Sequence, residues 1–290
     1  MRPPELKTKL FLDSADSKQT QSAIDLLGFL DGQTTNPTLL VKSLGEGAQV
    51  ESQDKMLDMY KQAVSEISTL IPRASVSIEV YADEQTSAQD MVAQARTMYR
   101  WIQNAHIKLP TTAVGLTAAQ TLARDDHMRL NMTLCFSQAQ GAAVHMATKA
   151  VGVEQSLSGY HNVFVSPFVG RLDDRGENGL DLVKNCLTMY REIDSHVGVL
   201  AASARTLEHL VAVIAMQTPM VTAPLSLYEK WVEAGMPCTL EETAKKSELT
   251  PIEYAPIDLS GSWEDVDIAH ELTDAGLKRF AQDWNAVIKQ

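Results

Sequence analysis

The sequence predicts an α/β protein, and within that class a closed (β/α)8 TIM barrel, on three observations. Strand-like and helix-like stretches alternate along most of the chain. Eight such units can be counted before a loop-rich tail. The length of 290 residues suits one barrel, which typically takes about 250. A doubly wound open sheet of seven or eight strands is the competing architecture. No GxGxxG follows the first strand, so the dinucleotide-binding form of that sheet lacks its main support. The expectation is a single domain over residues 1–290, with a loop and helix extension at about 239–290 whose helix packs on the barrel.

Each unit has its own local reason. KLFLD (9–13) is a short apolar strand, and Ser14 or Asp16 can cap the helix that follows. GQTTN (32–36) is a weak second strand, closed by Pro37. Residues 51–71 space Met56, Met59, Tyr60, Val64, Ile67 and Leu70 at near-helical intervals. SVSIEVY (75–81) alternates, with Val76, Ile78 and Val80 on one face and Ser77, Glu79 and Tyr81 on the other. A helix over 85–103 leads to the fourth strand, AHIKL (105–109), and a helix over 113–123 in which Gly115 is a blemish. LNMTLCF (130–136) is the fifth strand, followed by an Ala-rich helix (137–150) capped by Ser137. The sixth strand (163–168) is followed by a polar loop, GRLDDRGENG, and a helix over 180–193. Strands at 196–202 and 220–223 carry helices over 206–216 and 226–234. Residues 239–261 read as loop, and 266–289 as a terminal amphipathic helix.

Composition narrows the function classes. An apolar fraction of 44% and a charged fraction of 21% are those of a soluble globular chain. No apolar run approaches the ~18 residues of a membrane span, and the N-terminus shows no secretory h-region. The cysteines, Cys135, Cys186 and Cys238, are odd in number and scattered, which fits a reducing cytoplasm. No Cys/His pair has zinc-ligand spacing, so no metal is expected. A net charge of −12 argues against nucleic-acid binding. An anionic substrate would need a local cluster of Arg.

The chemistry-bearing residues gather at strand C-termini, where barrels place their active sites. Those ends carry Asp13, Thr34, Thr35, Asn36, Glu79, Lys108, Asn131, Thr133, Ser166, Ser203 and Arg205. Alternation puts Lys108 opposite Ile107 and Leu109, inside the barrel if the sheet closes. Burial lowers a lysine's pKa, and a neutral amine attacks carbonyl carbon. An edge-strand lysine reaching solvent is the plain alternative. Asp13 can instead be a helix cap, Asn36 turn chemistry, and Glu79 with Lys108 a structural ion pair. Cys135, two residues beyond Thr133, is expected on the same face as a packing thiol.

The pieces FLDSA, DGQTTNPTLL, SIEVYAD, IKLPTT, LNMTLCFS, VSPFVGRLDD, AASAR and HELTD…GLKRFAQDW occur in one order along the chain. In these the sequence resembles the transaldolases. The resemblance implies Lys108 as the Schiff-base lysine and Asp13 as acid/base for the sugar hydroxyl. It implies Glu79 and Thr133 as holders of a catalytic water. Asn36 and Asn131 would bind substrate hydroxyls, with Thr35 beside them. Ser166 and Phe168 would meet the dihydroxyacetone end, and Arg171, Ser203 and Arg205 the phosphate; Arg suits phosphate through paired hydrogen bonds. The resemblance further implies transfer of a dihydroxyacetone unit in the non-oxidative pentose phosphate pathway, without cofactor. Sugar phosphates would be the partners, the location cytoplasmic, and a homodimer one admissible assembly. A fructose-6-phosphate aldolase is the nearest rival, against which stand Glu79, where that subfamily has Gln, and Phe168, where it has Tyr. A non-catalytic phosphosugar-binding barrel is a further alternative.

Overall fold

In a computed structural model of the chain, which describes residues 2–45, 47–152, 156–239 and 248–289, eight parallel strands close on themselves in chain order. They are β1 (Lys9–Asp13), β2 (Gly32–Thr34), β3 (Ser75–Glu79), β4 (Ala105–Pro110), β5 (Leu130–Cys135), β6 (Val163–Pro167), β7 (Val197–Ala201) and β8 (Met220–Ala223). The intervening helices are α1 (Ser17–Leu27), α2 (Pro37–Ser43), α3 (Gln53–Leu70), α4 (Ala88–Met98), α5 (Ala113–Asp125), α6 (Gln138–Ala147), α7 (Val169–Asp173), α8 (Gly179–Glu192), α9 (Leu207–Ala215) and α10 (Leu225–Glu233). A 3-10 turn (Trp263–Asp265) and α11 (Glu271–Ala286) end the fold. The closed barrel thus stands, and the open-sheet alternative falls. No helix among the described residues is long and apolar enough to cross a membrane.

The alternation read from the sequence explains the layering. Val76, Ile78, Ile107, Leu109, Leu130 and Met132 are fully buried against the helices. The inward faces fall into two tiers. At the base, Phe11 meets Phe164 edge-on at 6.1 Å, His106 stacks on Phe164 at 4.2 Å, and Leu200 and Met220 complete the cluster. Gly32 is required there, because a Cβ at that position would lie 2.5 Å from the Phe11 ring. Above this plug the inward residues turn polar.

Several boundaries differ from expectation. The second strand stops at Thr34, because Asn36 takes extended backbone angles and caps α2 with its side chain, Pro37 being the first helical residue. Asp16, rather than Ser14, caps α1. The stretch GRLDDRGENG is not all loop: Val169–Asp173 forms α7. The terminal helix starts at Glu271, capped by His270. Part of the loop-rich 239–261 passage lies outside the described residues; where described, it is strapped to the barrel, Gln138 donating to Ala255 O (2.6 Å) and Asn185 to Ile252 O (2.9 Å). Gly115 is no blemish. A Cβ there would stand 1.9 Å from the Pro110 carbonyl oxygen, so glycine is what lets α5 start against the end of β4.

Candidate active site

Strand β4 delivers Lys108 into the upper tier because Ile107 and Leu109 are committed to the helix side. In register with it, on β3, stands Glu79. Each is only 4% exposed, and Glu79 Oε2 lies 2.9 Å from Lys108 Nζ. The approach is oblique, leaving Oε2 without an aligned hydrogen-bond donor. Lys108 instead donates to the Thr35 carbonyl at 3.2 Å. An exposed edge-strand lysine is therefore ruled out.

Burial pushes the Glu79 carboxyl above its ordinary value, with Lys108 opposing and Asp13 adding to the rise. Burial raises Asp13 as well, against the pull of Lys108, a hydrogen bond from Thr34 and the charge of Lys42. Asp13 caps no helix: its Oδ1 accepts from Thr34 Oγ1 at 2.8 Å, and Thr34 pairs with Thr222 at 2.6 Å. Two carboxyls that protonate more readily than free ones, set about an amine, can take up and return protons.

The hydrogen bonds behind Lys108 run in a definable direction. Thr35 Oγ1 donates to Ser77 O (2.8 Å), so it must accept from the Tyr60 hydroxyl at 2.5 Å. That hydroxyl in turn accepts from the Glu79 N–H at 3.0 Å. Glu79, Tyr60, Thr35 and Ser77 thus form one buried relay supporting both charged residues. A second string runs from Ser166 Oγ to Asn131 Oδ1 (2.6 Å) and from Asn131 Nδ2 to Ser77 Oγ (3.0 Å).

A cavity of about 260 Å3 opens over this tier. Of the residues named from the sequence, Asp13, Asn36, Lys108, Thr133, Ser166, Phe168, Arg171, Ser203 and Arg205 line it. Glu79, Thr35 and Asn131 do not; they are buried, holding Lys108 or Ser166 from outside the lining. Thr133 Oγ1 is buried without a hydrogen-bond partner. It lies within an irregularity in β5 between Met132 and Cys135, where Leu134 takes φ +59°. That left-handed residue breaks the alternation. Cys135 therefore turns from Thr133's side toward Cys186 of α8, and its thiol is pushed up to about 12 by burial.

The guanidiniums differ in their surroundings. Arg205 is exposed and pairs with Asp174 at 2.5 Å, while Asp173 is taken by His209 at 2.7 Å. Arg171 has no carboxylate within ion-pair distance among the described residues. Burial and the nearby charges of Arg279 and Arg205 lower its pKa, so it sits in excess positive charge. Gly170 lets these groups converge: a Cβ there would be 2.6 Å from Ser203 O and 2.8 Å from the Arg205 side chain. Ser203 itself holds φ +57°, a strained setting at the cavity wall.

Sequence reasoning missed Lys42, Thr222, Arg279 and Phe280 of the lining, and Tyr60 behind it. Tyr60 carried a signal, as the one polar-tipped residue on the apolar stripe of its helix. The others sit on elements whose approach to the mouth only the folded barrel defines. Among the described residues, no group of three His, Cys, Asp or Glu side chains is placed to hold a metal ion.

Comparison with known proteins follows the same lines. The profile of the family described as "Transaldolase/Fructose-6-phosphate aldolase" matches residues 10–290. A "Probable transaldolase" of Dehalococcoides mccartyi is 30% identical over 281 residues, 97% of this chain and 100% of that protein. A "Probable transaldolase" of Brucella anthropi is 33% identical over 276 residues, 95% of this chain and 96% of that protein. Among solved structures, a "putative Mandelate racemase/Muconate lactonizing enzyme" from Labrenzia alexandrii superposes with a TM-score of 0.50 at 12% identity. It covers 78% of this chain and 56% of its own, a likeness of fold alone.

Proposed function

The chain belongs to the transaldolase/fructose-6-phosphate aldolase family, and from that premise we propose that it is a transaldolase. It moves a dihydroxyacetone unit from a ketose phosphate, fructose 6-phosphate or sedoheptulose 7-phosphate, to an aldose phosphate, erythrose 4-phosphate or glyceraldehyde 3-phosphate. The observation that carries this reading is the buried Lys108, 2.9 Å from Glu79, lining one cavity with Asp13, Arg171 and Arg205. Binding alone requires no buried amine.

In this mechanism Lys108 passes a proton to Glu79, and its free Nζ attacks the C2 carbonyl of the donor. A C–N bond forms, and the C2 oxygen leaves as water once protonated, giving an iminium. Glu79, whose burial favours the protonated form, and the unpartnered Thr133 hydroxyl handle that proton and that water. Asp13 then removes the C4 hydroxyl proton. The C3–C4 bond breaks, its electron pair moves into the iminium to leave an enamine, and the aldose phosphate departs. The enamine carbon adds to the aldehyde of the acceptor, Asp13 returns the proton, and water releases the new ketose from Lys108. The iminium serves as the electron sink a metal would otherwise supply. Arg171, Ser203 and Arg205 take the phosphate. The same reading makes the protein a cytoplasmic enzyme of the non-oxidative pentose phosphate pathway.

The test is borohydride trapping. Incubation with fructose 6-phosphate, reduction and peptide mass spectrometry should place one adduct on Lys108, absent from Lys108→Met. An unmodified Lys108 in protein that still binds the sugar phosphate would refute the reading. Adding erythrose 4-phosphate should yield sedoheptulose 7-phosphate; release of free dihydroxyacetone alone would make it an aldolase. Glu79→Gln should slow transfer, and unchanged transfer would remove Glu79 from the mechanism.

A further inference from the structure

The C-terminal helix forms part of the same cavity wall: Arg279 and Phe280 of α11 line it together with Lys108, Arg171 and Arg205. We propose that Arg279 is a third guanidinium of the phosphate subsite, so that α11 sets the preference for phosphorylated substrates. The inference rests on the transaldolase reading only for what the phosphate is attached to.

Three observations carry it. First, α11 is pinned on both sides of Arg279. On one side, Thr273 donates to Leu134 O at 3.0 Å and accepts from Gln140 at 2.8 Å. Gly276 is packed so closely that a Cβ would lie 2.6 Å from Leu134 Cδ2. On the other, Thr38 donates to Asp283, Asn285 donates to the Tyr81 hydroxyl at 2.9 Å, and the Trp284 ring meets Tyr60 and Tyr81. The helix also holds the turn that follows α7, the helix bearing Arg171, through an Arg175–Glu271 ion pair. Arg279 is thus presented to the mouth by a fixed element.

Second, Arg279 is incompletely neutralised. Its one ion-pair partner among the described residues, Asp283, is 3.8 Å away and already accepts from Thr38. Third, Arg279 and Arg205 both press on the charge of Arg171, opposed only in part by Asp174, which is itself paired with Arg205. In a chain of net charge −12, a local excess of cations around one cavity is a mark of an anion site. A phosphate relieves that repulsion, and three guanidiniums match its three terminal oxygens.

The experiment has two arms. Inorganic phosphate is titrated calorimetrically into wild type, Arg279→Gln and Arg279→Lys. Arg279→Gln should weaken binding about tenfold, with Arg279→Lys recovering part of the loss. In parallel, unphosphorylated dihydroxyacetone is trapped on Lys108 with borohydride, and its yield should not change with Arg279→Gln. Unchanged phosphate affinity overturns the proposal. So does a matched loss of phosphate affinity and trapping, which would mean that Arg279 only holds the helix. If wild type traps no carbonyl compound while Arg279→Gln still weakens phosphate binding, the transaldolase reading fails and the third guanidinium stands.

Discussion

Replacing Tyr60 by Phe removes one oxygen atom and should cost more stability than its size suggests. The hydroxyl accepts from the Glu79 N–H at 3.0 Å and donates to Thr35 Oγ1 at 2.5 Å. Thr35 keeps its bond to Ser77 O, so its loss is the ordinary worth of one hydrogen bond, about 1 kcal/mol. The Glu79 N–H is worse placed, because the residue is buried; stranding such a donor costs about 1–3 kcal/mol. The aromatic ring stays, with its edge contacts to Trp101 and Trp284 at 6.0 and 6.2 Å, so no cavity term is added. The sum, about 2–4 kcal/mol, corresponds in a barrel of this size to a fall in Tm of roughly 3–7 °C. Urea unfolding should show a lower midpoint with an unchanged slope. Thr35→Val breaks the same bond from its other end, so the double variant should lose less than the sum of the singles. A loss below 1 kcal/mol, or strict additivity, would refute the relay.

Gly115→Ala should lower the Tm although alanine is the better helix former by about 1 kcal/mol, because the new methyl would overlap the Pro110 carbonyl oxygen; a stabilised variant would count against that contact. In Lys108→Met, Glu79 loses the charge that lowers its pKa. Its folded value then rises further above the unfolded one, so stability is fully present below about pH 4.5 and falls as pH rises. Urea midpoints at pH 5 to 8 should slope downward, and adding Glu79→Gln should reduce the slope to the part that Asp13, raised by burial and released from the same charge, contributes; a flat profile in Lys108→Met alone would be decisive against it. His106 and His196 behave oppositely. Burial lowers them to about 3 and about 4 from 6.5, so the stability they contribute is present above pH 6.5 and is lost as pH falls toward those values. His106→Gln should make unfolding midpoints less acid-sensitive between pH 6.5 and 4, and an unaltered dependence would exclude His106 as a source.

Much of this architecture was legible because alternation and helical spacing are local signals. SVSIEVY and AHIKL each state which face is apolar, and with it where Glu79 and Lys108 point. Boundary residues were less legible, for a physical reason. Asn36 suits a strand end as well as a helix cap, and only the competition for the Leu39 N–H, which Asn36 Oδ1 accepts at 2.8 Å, decides it. Cys135 was put on the wrong face because period-two reading assumes regular backbone, and Leu134 at φ +59° is not. Arg279 was invisible as a site residue, since an Arg on an amphipathic helix reads as solvated until the helix is seen crossing the mouth. The glycines were the most misleading. Gly115 looks like a helix fault and Gly170 like a loop residue in one dimension, yet both are points where backbone and side chains of different units come very close.

The aromatic plug of Phe11, Phe164 and His106, seated on Gly32, gives the barrel a sealed floor. The cavity above it is closed on that side, so substrates come and go at the strand C-termini. In the transfer proposed, the first aldehyde has to leave before the second can enter, while the three-carbon fragment waits tethered to Lys108. The order of a ping-pong exchange then follows from that tether together with the shared mouth. It needs no gate, lid or signal, and opening the floor, by Phe11→Ala for example, would be the way to make the chamber leak.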